Sequence, residues 1–288
     1  MRWGALPSPA DQARVLADVL TRGKREHFRI NVMEAFDQPW KRVLEGTVGG
    51  HWGLFDDATR ARKFVWGAPV SNHPLWPWQA AGGVMLAALV FAVALRAKGA
   101  RDLGFRAWLA IALDAAAAGL LIGWTVADVP LQNFSAGGWL RSLAFAALAI
   151  AAPIAAAAAL AAGTALPSFD AVLARRADRV RDPLGLTLGV LFVALAVLAI
   201  QSALPLAFDP RYRDFPFAPL TAAALPFALA PRAAGSRSLA ETLAAGLLLA
   251  CAIFIVWNET LANWQALWFA AALALTAFSL LRAPAAPS

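Results

Sequence analysis

The chain has 288 residues, of which 60% are hydrophobic and only 15% are charged, and its mean hydropathy is +0.60. Soluble globular proteins carry about 25% charged residues, so this composition excludes an ordinary soluble domain and indicates a membrane protein. One cysteine and three histidines leave little material for a disulfide framework or a metal site, and we expect neither a metal nor a cofactor.

The first 78 residues hold 11 Lys/Arg and 8 Asp/Glu and resemble a water-soluble head. Ser8 followed by Pro9 and Asp11 is typical of a helix start, and the helix is predicted to run to about Lys24. Residues 28–35 alternate between apolar and polar side chains, which predicts a strand with Glu34 at its carboxyl end. A glycine-rich stretch (46–53), a turn at 56–57 and a linker (67–78) follow.

One helix and one strand form a single unit of an α/β fold. A lone strand exposes two unpaired edges and contributes little core, so we expect this head not to fold stably unaided.

Seven apolar runs follow the head, and most reach the roughly 20 residues that cross about 30 Å of hydrocarbon as a helix. They are residues 79–96, 107–127, 140–163, 184–207, 215–230, 242–257 and 262–281. The fifth run is short and contains Pro216, Pro219 and Pro226, so a broken or re-entrant helix is its alternative structure. We therefore predict a mainly α protein, a bundle of about seven transmembrane helices.

The pI near 10.7 would suggest nucleic acid in a soluble protein, but these charges lie between apolar runs, and we expect no nucleic-acid partner. Eleven basic residues lie in alternate loops and the tail: Arg96, Lys98, Arg101, Arg106, Arg175, Arg176, Arg179, Arg181, Arg232, Arg237 and Arg282. The opposite loops hold Arg141, Arg211 and Arg213. The positive-inside rule then places the head outside and the C-terminus in the cytoplasm.

No apolar segment of a signal peptide follows Met1. Either the protein begins upstream of Met1, or the first span carries a basic head outward.

Tryptophans mark the expected outer ends of the spans and predict an interfacial aromatic belt, with sugar stacking as the alternative. They are Trp76, Trp78, Trp124, Trp139, Trp257, Trp264 and Trp268.

Three polar side chains, Asp114, Gln201 and Glu241, fall in or beside apolar runs and are predicted to be buried within the membrane domain. A charge at a span centre costs about 2.5–3.5 kcal/mol on insertion scales, so Asp114 should face the bundle interior. Asp114 either lines a path for protons or glycans through the bundle or makes buried hydrogen bonds. Gly119 and Gly123 form a GxxxG pattern that favours close helix packing.

A longer motif lies in the head: Glu34-Ala35-Phe36-Asp37-Gln38-Pro39-Trp40-Lys41, then Glu45-Gly46-Thr47-Val48-Gly49-Gly50-His51-Trp52-Gly53-Leu54-Phe55-Asp56. It resembles the end of the catalytic domain of glycoside hydrolase family 17, where the eighth strand of a (β/α)8 barrel runs into similar segments. The stretch from Trp3 to Ala13 resembles the loop and helix after the seventh strand. The resemblance covers roughly residues 2–70.

The resemblance implies a C-terminal barrel piece at residues 1–66, the linker at 67–78, a transmembrane domain at 79–282 and a cytoplasmic tail at 283–288. In the family the catalytic glutamates end the fourth and seventh strands, so both would precede Met1. Bacterial members that join this head to several spans are described as β-(1→3)- or β-(1→6)-glucan synthases, transglycosylases or endo-1,3-β-glucanases. The implied location is the bacterial inner membrane, with the lipid bilayer, a β-glucan polysaccharide and any chain that completes the barrel as partners.

By this resemblance the glucan-facing candidates are Glu34, Asp37, Gln38, Trp40, Lys41 and His51. Lys41 matches a family lysine near the catalytic carboxylates, whereas Gln38 replaces a glutamate that many members carry. The alternatives are packing for Trp40, a local ion pair for Lys41 and closure of the barrel wall for His51.

The leading hypothesis is a membrane-anchored β-glucan hydrolase or transglycosylase whose catalytic pair lies outside this chain, which leaves its own enzymatic activity open. The alternative is a transporter or export subunit for glycans or lipid-linked sugars. A third interpretation is a pseudo-enzyme or a misplaced start codon.

Overall fold

A computed structural model describes residues 8–97, 99–133, 135–173, 182–208, 214–233 and 238–282. Within these ranges the fold is mainly helical, as predicted. The helices are α1 (Pro9–Glu26), α2 (Arg42–Gly49), α3 (Trp76–Arg96), α4 (Phe105–Gln132), α5 (Ala136–Ala162), α6 (Phe169–Leu173), α7 (Pro183–Phe208), α8 (Phe217–Leu229), α9 (Leu239–Glu259) and α10 (Trp264–Leu281).

Six of these helices, α3, α4, α5, α7, α9 and α10, have 18 to 28 residues and are apolar enough to cross a membrane. The chain is therefore a multi-pass membrane protein by the length and composition of its helices. The first span begins at Trp76, inside the segment predicted as a linker. The predicted tail (283–288) and several loop cations lie outside the described residues, namely Lys98, Arg175, Arg176, Arg179, Arg181, Arg211, Arg213 and Arg237.

The fifth predicted span is a short central helix, so the described residues contain six long spans rather than the seven predicted. Helix α8 has 13 residues, about 20 Å of helix, and most of its side chains are buried against α4, α5 and α10. Pro216 lies at the N-terminal boundary of α8, and Pro231 directly follows the C-terminal boundary at Ala230. A residue that precedes a proline disfavours helical backbone angles, so α8 ends before Pro231. A helix too short to span hydrocarbon alone is tolerated here because protein surrounds it.

Two hydrogen bonds between residues far apart in the sequence show which segments lie at each end of the bundle. At the head end, Thr47 of the head donates to Asp214, which directly precedes α8. At the far end, Arg282 donates to the backbone oxygen of Ala230, which directly follows α8. Helix α8 thus passes from the head end to the far end, and Arg282 lies at the end opposite the head.

The predicted GxxxG contact forms between α3 and α4. A Cβ built on Gly119 would lie 2.7 Å from the backbone oxygen of Gly83, and one built on Gly83 would lie 2.3 Å from the oxygen of Gly119. A Cβ built on Gly123 would lie 3.0 Å from the Cβ of Gln79, a looser contact with the same helix. The two backbones approach this closely because neither glycine carries a side chain.

The first helix of the head begins where it was predicted, but the segments after it differ from the prediction. Ser8 caps α1 by accepting a hydrogen bond from the backbone N–H of Asp11, and the helix ends at Glu26. The glycine-rich stretch is partly helical, since α2 runs through it with a kink at Gly46, where φ is +70°.

The expected strand at 28–35 does not form among the described residues. The segment is extended, but residues 29–34 make no backbone–backbone hydrogen bond to another described residue. Only isolated bridges occur nearby, Phe36 with Phe55 and Phe55 with Arg62. A strand needs a neighbour, and Glu34 at φ +66° also interrupts the alternation, so the described part of the head forms no sheet.

Six of the seven tryptophans predicted to form the belt fall into two groups, and the seventh, Trp139, is 39% exposed. Trp76, Trp78 and Trp257 are well exposed, as an interfacial belt requires. Trp124, Trp264 and Trp268 instead pack with one another around Phe217, with ring centroids 5.0–6.3 Å apart. This second group stabilises the packing of α4, α8 and α10 at that end of the bundle.

Candidate functional site

Glu34, Trp40 and Lys41 lie together at a partly buried surface of the head, where the Lys41 and Glu34 side chains are only 19% and 15% exposed. The Lys41 ammonium donates to Glu34 Oε1 and lies 5.8 Å from the centre of the Trp40 ring. Glu34 Oε2 is buried without a hydrogen-bond partner among the described residues. The Trp40 side chain is 55% exposed, so an indole face is available beside a carboxylate and an ammonium group.

Asp37 is turned inward and does not belong to this surface. The residue is only 4% exposed, and its Oδ1 accepts hydrogen bonds from the Gly53 N–H (2.9 Å) and from Lys63 Nζ (2.5 Å). His51 Nδ1 lies 3.4 Å from the other carboxylate oxygen. Asp37 was expected to face glucan, but this network ties the two halves of the motif together. Its buried carboxylate needs these partners to offset lost hydration.

His51 is held inside the same network. Burial, followed by the positive charge of Arg42, lowers the pKa of His51 below its ordinary 6.5, against the opposing effect of Asp37. The imidazole is therefore neutral at pH 7.

Gln38 joins the motif through its backbone, because its N–H donates to the Gly50 carbonyl at 3.2 Å. Lys63 has a larger role than the sequence suggested: it donates to Asp37 and, at 2.6 Å, to the His51 carbonyl. In the sequence, nothing distinguishes Lys63 from the neighbouring basic residues Arg60 and Arg62.

A second candidate site is a polar cavity of about 130 Å³ where the head meets the bundle. We name it the junction cavity. The head and the head-end segments of α4, α5, α7 and α8 all contribute to its wall. The lining residues are Arg42, Gly46, Thr125, Asp128, Val129, Gln132, Arg141, Ser142, Phe145, Ser202, Pro205, Leu206, Asp214, Pro216 and Pro219.

The cavity wall brings two carboxylates and two guanidinium groups together, Asp128 and Asp214 with Arg42 and Arg141. Desolvation raises the pKa of Asp214, against the hydrogen bond from Thr47 at 2.6 Å and the charge of Arg141. Such a group ionises less readily than an exposed aspartate.

Two polar groups in the wall have no hydrogen-bond partner among the described residues. They are Ser202 Oγ, whose residue is 2% exposed, and Arg42 Nε. Buried polar groups in proteins are nearly always satisfied by protein, water or ligand.

The three polar residues predicted to be buried in the bundle do not converge on one path. Asp114 is buried in α4, and neither carboxylate oxygen has a partner among the described residues. Glu241 pairs at 2.6 Å with Arg232 at the far end and completes the capping box of α9 with Ser238. Gln201 is exposed on the surface of α7, contrary to the expectation of burial.

Comparison of the chain with protein-family models, with curated proteins and with solved structures yields no match.

Proposed function

We propose that this protein is a membrane-anchored β-glucan hydrolase or transglycosylase, to which this chain contributes the membrane domain and the closing segment of a family-17-like barrel. The resemblance of Glu34–Asp56 is the starting point. The catalytic glutamates would be supplied by barrel strands outside the 288 residues. Two such carboxyl groups must lie about 5–5.5 Å apart in a retaining enzyme, one as acid and one as nucleophile.

One observation carries the proposal: the extended segment at 29–34 has no backbone pairing within the described chain. It also exposes apolar side chains, with Val32 36% and Met33 77% exposed. An unpaired extended segment with exposed apolar residues is unfavourable in water and is stabilised by neighbouring strands. This supports the proposal that further barrel strands pack on both sides of it.

The surface of Glu34, Trp40 and Lys41 is the part of the head best suited to sugar. An exposed indole stacks on the apolar face of a pyranose ring, while carboxylate and ammonium groups bind its hydroxyls. In the proposed protein this surface holds the glucan next to the catalytic carboxylates.

The proposed location is the outer face of the bacterial cytoplasmic membrane. The described cations Arg96, Arg101 and Arg106 adjoin the loop between α3 and α4 at the far end, and Arg232 and Arg282 lie at the same end. A far end in the cytoplasm agrees with the positive-inside rule and leaves the head on the side where glucan accumulates.

The test is to express the continuous reading frame that includes the sequence upstream of Met1 and to assay membranes with β-(1→3)- and β-(1→6)-glucan oligosaccharides. We expect chain shortening or transfer that is lost when either upstream catalytic carboxylate is replaced by its amide. An upstream frame that encodes no barrel with two such carboxylates would contradict the proposal.

A transporter or export subunit for glycans is the second candidate, and the junction cavity favours it because three membrane-spanning helices, α4, α5 and α7, contribute polar side chains there. The discriminating variant is Asp128→Asn. Loss of glucan export with unchanged glucan cleavage by the completed barrel would favour the transporter.

A further inference from the structure

We infer that a groove between α3, α5 and α7 at the far end of the bundle binds one anionic phospholipid, whose phosphate is held by Arg96. We name it the far-end groove. Its lining residues are Val93, Arg96, Ala97, Gly99, Ala158, Ala162 and Leu184. The inference goes beyond the proposed function and does not depend on it, because it rests on the membrane domain alone.

The groove exists because the end of α5 carries small side chains. Ala158 and Ala162 form its floor, in a part of the helix that is almost entirely alanine. Helices α3 and α7 both pack on α5, and Val93 of the one and Leu184 of the other contribute the walls. Larger side chains on this part of α5 would fill the space, as they do in a close-packed helix contact.

The dimensions of the groove suit the part of a lipid next to its phosphate. Its volume is about 510 Å³. Small-molecule sites have volumes of about 300–1,000 Å³. Val93 and Arg96 lie about one turn apart on α3, as do Ala158 and Ala162 on α5, so the groove covers roughly 6 Å of the helix ends. It therefore takes the glycerol backbone and the first methylene groups rather than a whole acyl chain.

The position of the groove makes lipid its occupant. Arg96 is the last residue of α3, whose 21 residues are just long enough to cross the hydrocarbon. The groove therefore lies where the hydrocarbon meets the headgroups, on the outside of the membrane domain. Apolar walls at this depth are unfavourable surfaces for water. A phospholipid offers an apolar chain to these walls and a phosphate to Arg96.

Arg96 provides the selectivity for an anionic headgroup. It is the one charged residue that lines the groove within the described ranges. Its side chain is exposed and makes no hydrogen bond or ion pair with another described residue. A guanidinium group binds phosphate oxygens through two parallel hydrogen bonds. Basic pockets between membrane helices bind anionic headgroups in this way.

The rim of the groove is fixed by the loop that follows α3. A Cβ built on Gly99 would lie 2.3 Å from the backbone oxygen of Ala161, so this loop packs directly on the end of α5. Arg101 and Asp102 follow in the same loop, and both are exposed. Their opposite charges offset each other, so neither changes the sign of the charge that Arg96 brings to the groove.

One carboxylate near the groove is already bound to other groups. Asp182 accepts hydrogen bonds from Thr164 Oγ1 at 2.6 Å and from the N–H of Leu184 at 3.0 Å. These bonds, the one from Thr164 foremost, lower the pKa of Asp182 and keep it ionised. Its negative charge disfavours a phosphate beside α7. The phosphate is therefore expected on the α3 side of the groove, next to Arg96.

The test is native mass spectrometry of the full chain released from nanodiscs. The nanodiscs contain equal amounts of phosphatidylglycerol and phosphatidylcholine with the same acyl chains. We expect one phosphatidylglycerol to be retained at least about threefold more often than phosphatidylcholine. Soluble glycerol 3-phosphate should not displace it, because the apolar walls bind the lipid chain as well as its phosphate.

Two pairs of matched variants locate the site. Arg96→Gln should reduce the retention of phosphatidylglycerol about fivefold. Its control is Arg106→Gln, which removes the same charge from an exposed position at the same end but outside the groove. Ala158→Leu fills the floor and should reduce the retention of both lipids. Its control is Ala271→Leu, at an exposed position on α10.

Retention that falls in Arg96→Gln and in Ala158→Leu, and in neither control, supports the inference. If Ala158→Leu does not fold, the comparison of Arg96→Gln with Arg106→Gln decides the question. Equal retention of the two lipids by the wild type, or equal effects of Arg96→Gln and Arg106→Gln, would overturn the inference. So would displacement of the lipid by glycerol 3-phosphate, or a dimer of the chain that retains no lipid. None of these readouts involves glucan, so the proposed function stands or falls separately.

Discussion

Thr47 and Asp214 lie 167 residues apart in the sequence, yet the Thr47 hydroxyl donates a hydrogen bond of 2.6 Å to the Asp214 carboxylate. This contact joins the head to the segment that precedes the central helix α8. It also closes the junction cavity, because both Asp214 and the head residues Arg42 and Gly46 form its wall. The position of the head on the bundle therefore depends on a few polar contacts at one place.

Replacing Thr47 by Val should loosen the head from the bundle. Valine has nearly the shape of threonine but lacks the hydroxyl that donates to the partly buried Asp214 carboxylate. Loss of this hydrogen bond should reduce the free energy that holds the head on the bundle by about 1–3 kcal/mol. Hydrogen exchange in residues 42–50 should become faster, while exchange in the spans stays unchanged. Thr59→Val is the control, because Thr59 makes a similar hydroxyl bond to Asp56 in an exposed turn of the head. Equal effects of the two variants would show that Thr47 has no special docking role.

Replacing Asp37 by Asn should open the motif from Asp37 to Lys63. The change leaves the mostly buried Lys63 ammonium without its carboxylate, and breaking a buried pair typically costs about 3–5 kcal/mol. Limited proteolysis should cut the head much faster, whereas Asp57→Asn, which alters an exposed ion pair with Arg60, should not. Unchanged protease resistance in Asp37→Asn would mean that the network does not hold the head together.

The head should lose stability as the pH falls below 6.5. The pKa of His51 is lowered in the folded head, so the unfolded head binds a proton more readily, and stability present above 6.5 is lost as the pH falls toward the folded pKa. Protease sensitivity of the head measured against pH should show this change. The dependence should shrink in His51→Gln and persist in His73→Gln, where an exposed histidine is altered. A flat profile in the wild type, or the same profile in His51→Gln, would contradict this prediction.

Two adjacent glycines of α3 should respond differently to alanine. Gly83→Ala places a methyl group against the Gly119 backbone oxygen and should cost about 1–3 kcal/mol through overpacking. Gly82→Ala meets no atom within 4 Å and should be neutral or slightly stabilising. Thermal unfolding of both variants in the same nanodiscs measures the difference. Similar melting temperatures would exclude the close α3–α4 contact.

Local signals in the sequence were sufficient for several elements. The Ser8 cap predicted the start of α1, the apolar runs predicted the long spans, and Gly119 and Gly123 predicted a tight helix crossing. Each depends on neighbouring residues or on one period along a helix.

The prediction of a strand at 28–35 was wrong. Alternation of apolar and polar residues indicates a half-buried surface, but a strand also needs a neighbouring strand to pair with, and the pattern does not show whether one is present. The junction cavity was missed because its walls come from five segments far apart in the chain. One signal for it was present: Thr125, Asp128 and Gln132 recur at the spacing of one helix face in an otherwise apolar run.

The most direct test of the proposed function is to determine on which side of the membrane the head lies. Replacing the single buried Cys251 by Ala allows one cysteine to be introduced at exposed Asp57 in the head or at exposed Arg101 at the far end. A membrane-impermeant maleimide added to intact spheroplasts should label Asp57→Cys at once and Arg101→Cys only after permeabilisation. Labelling of Asp57→Cys only after permeabilisation, or of both positions from the same side, would contradict a head that faces glucan outside the cell.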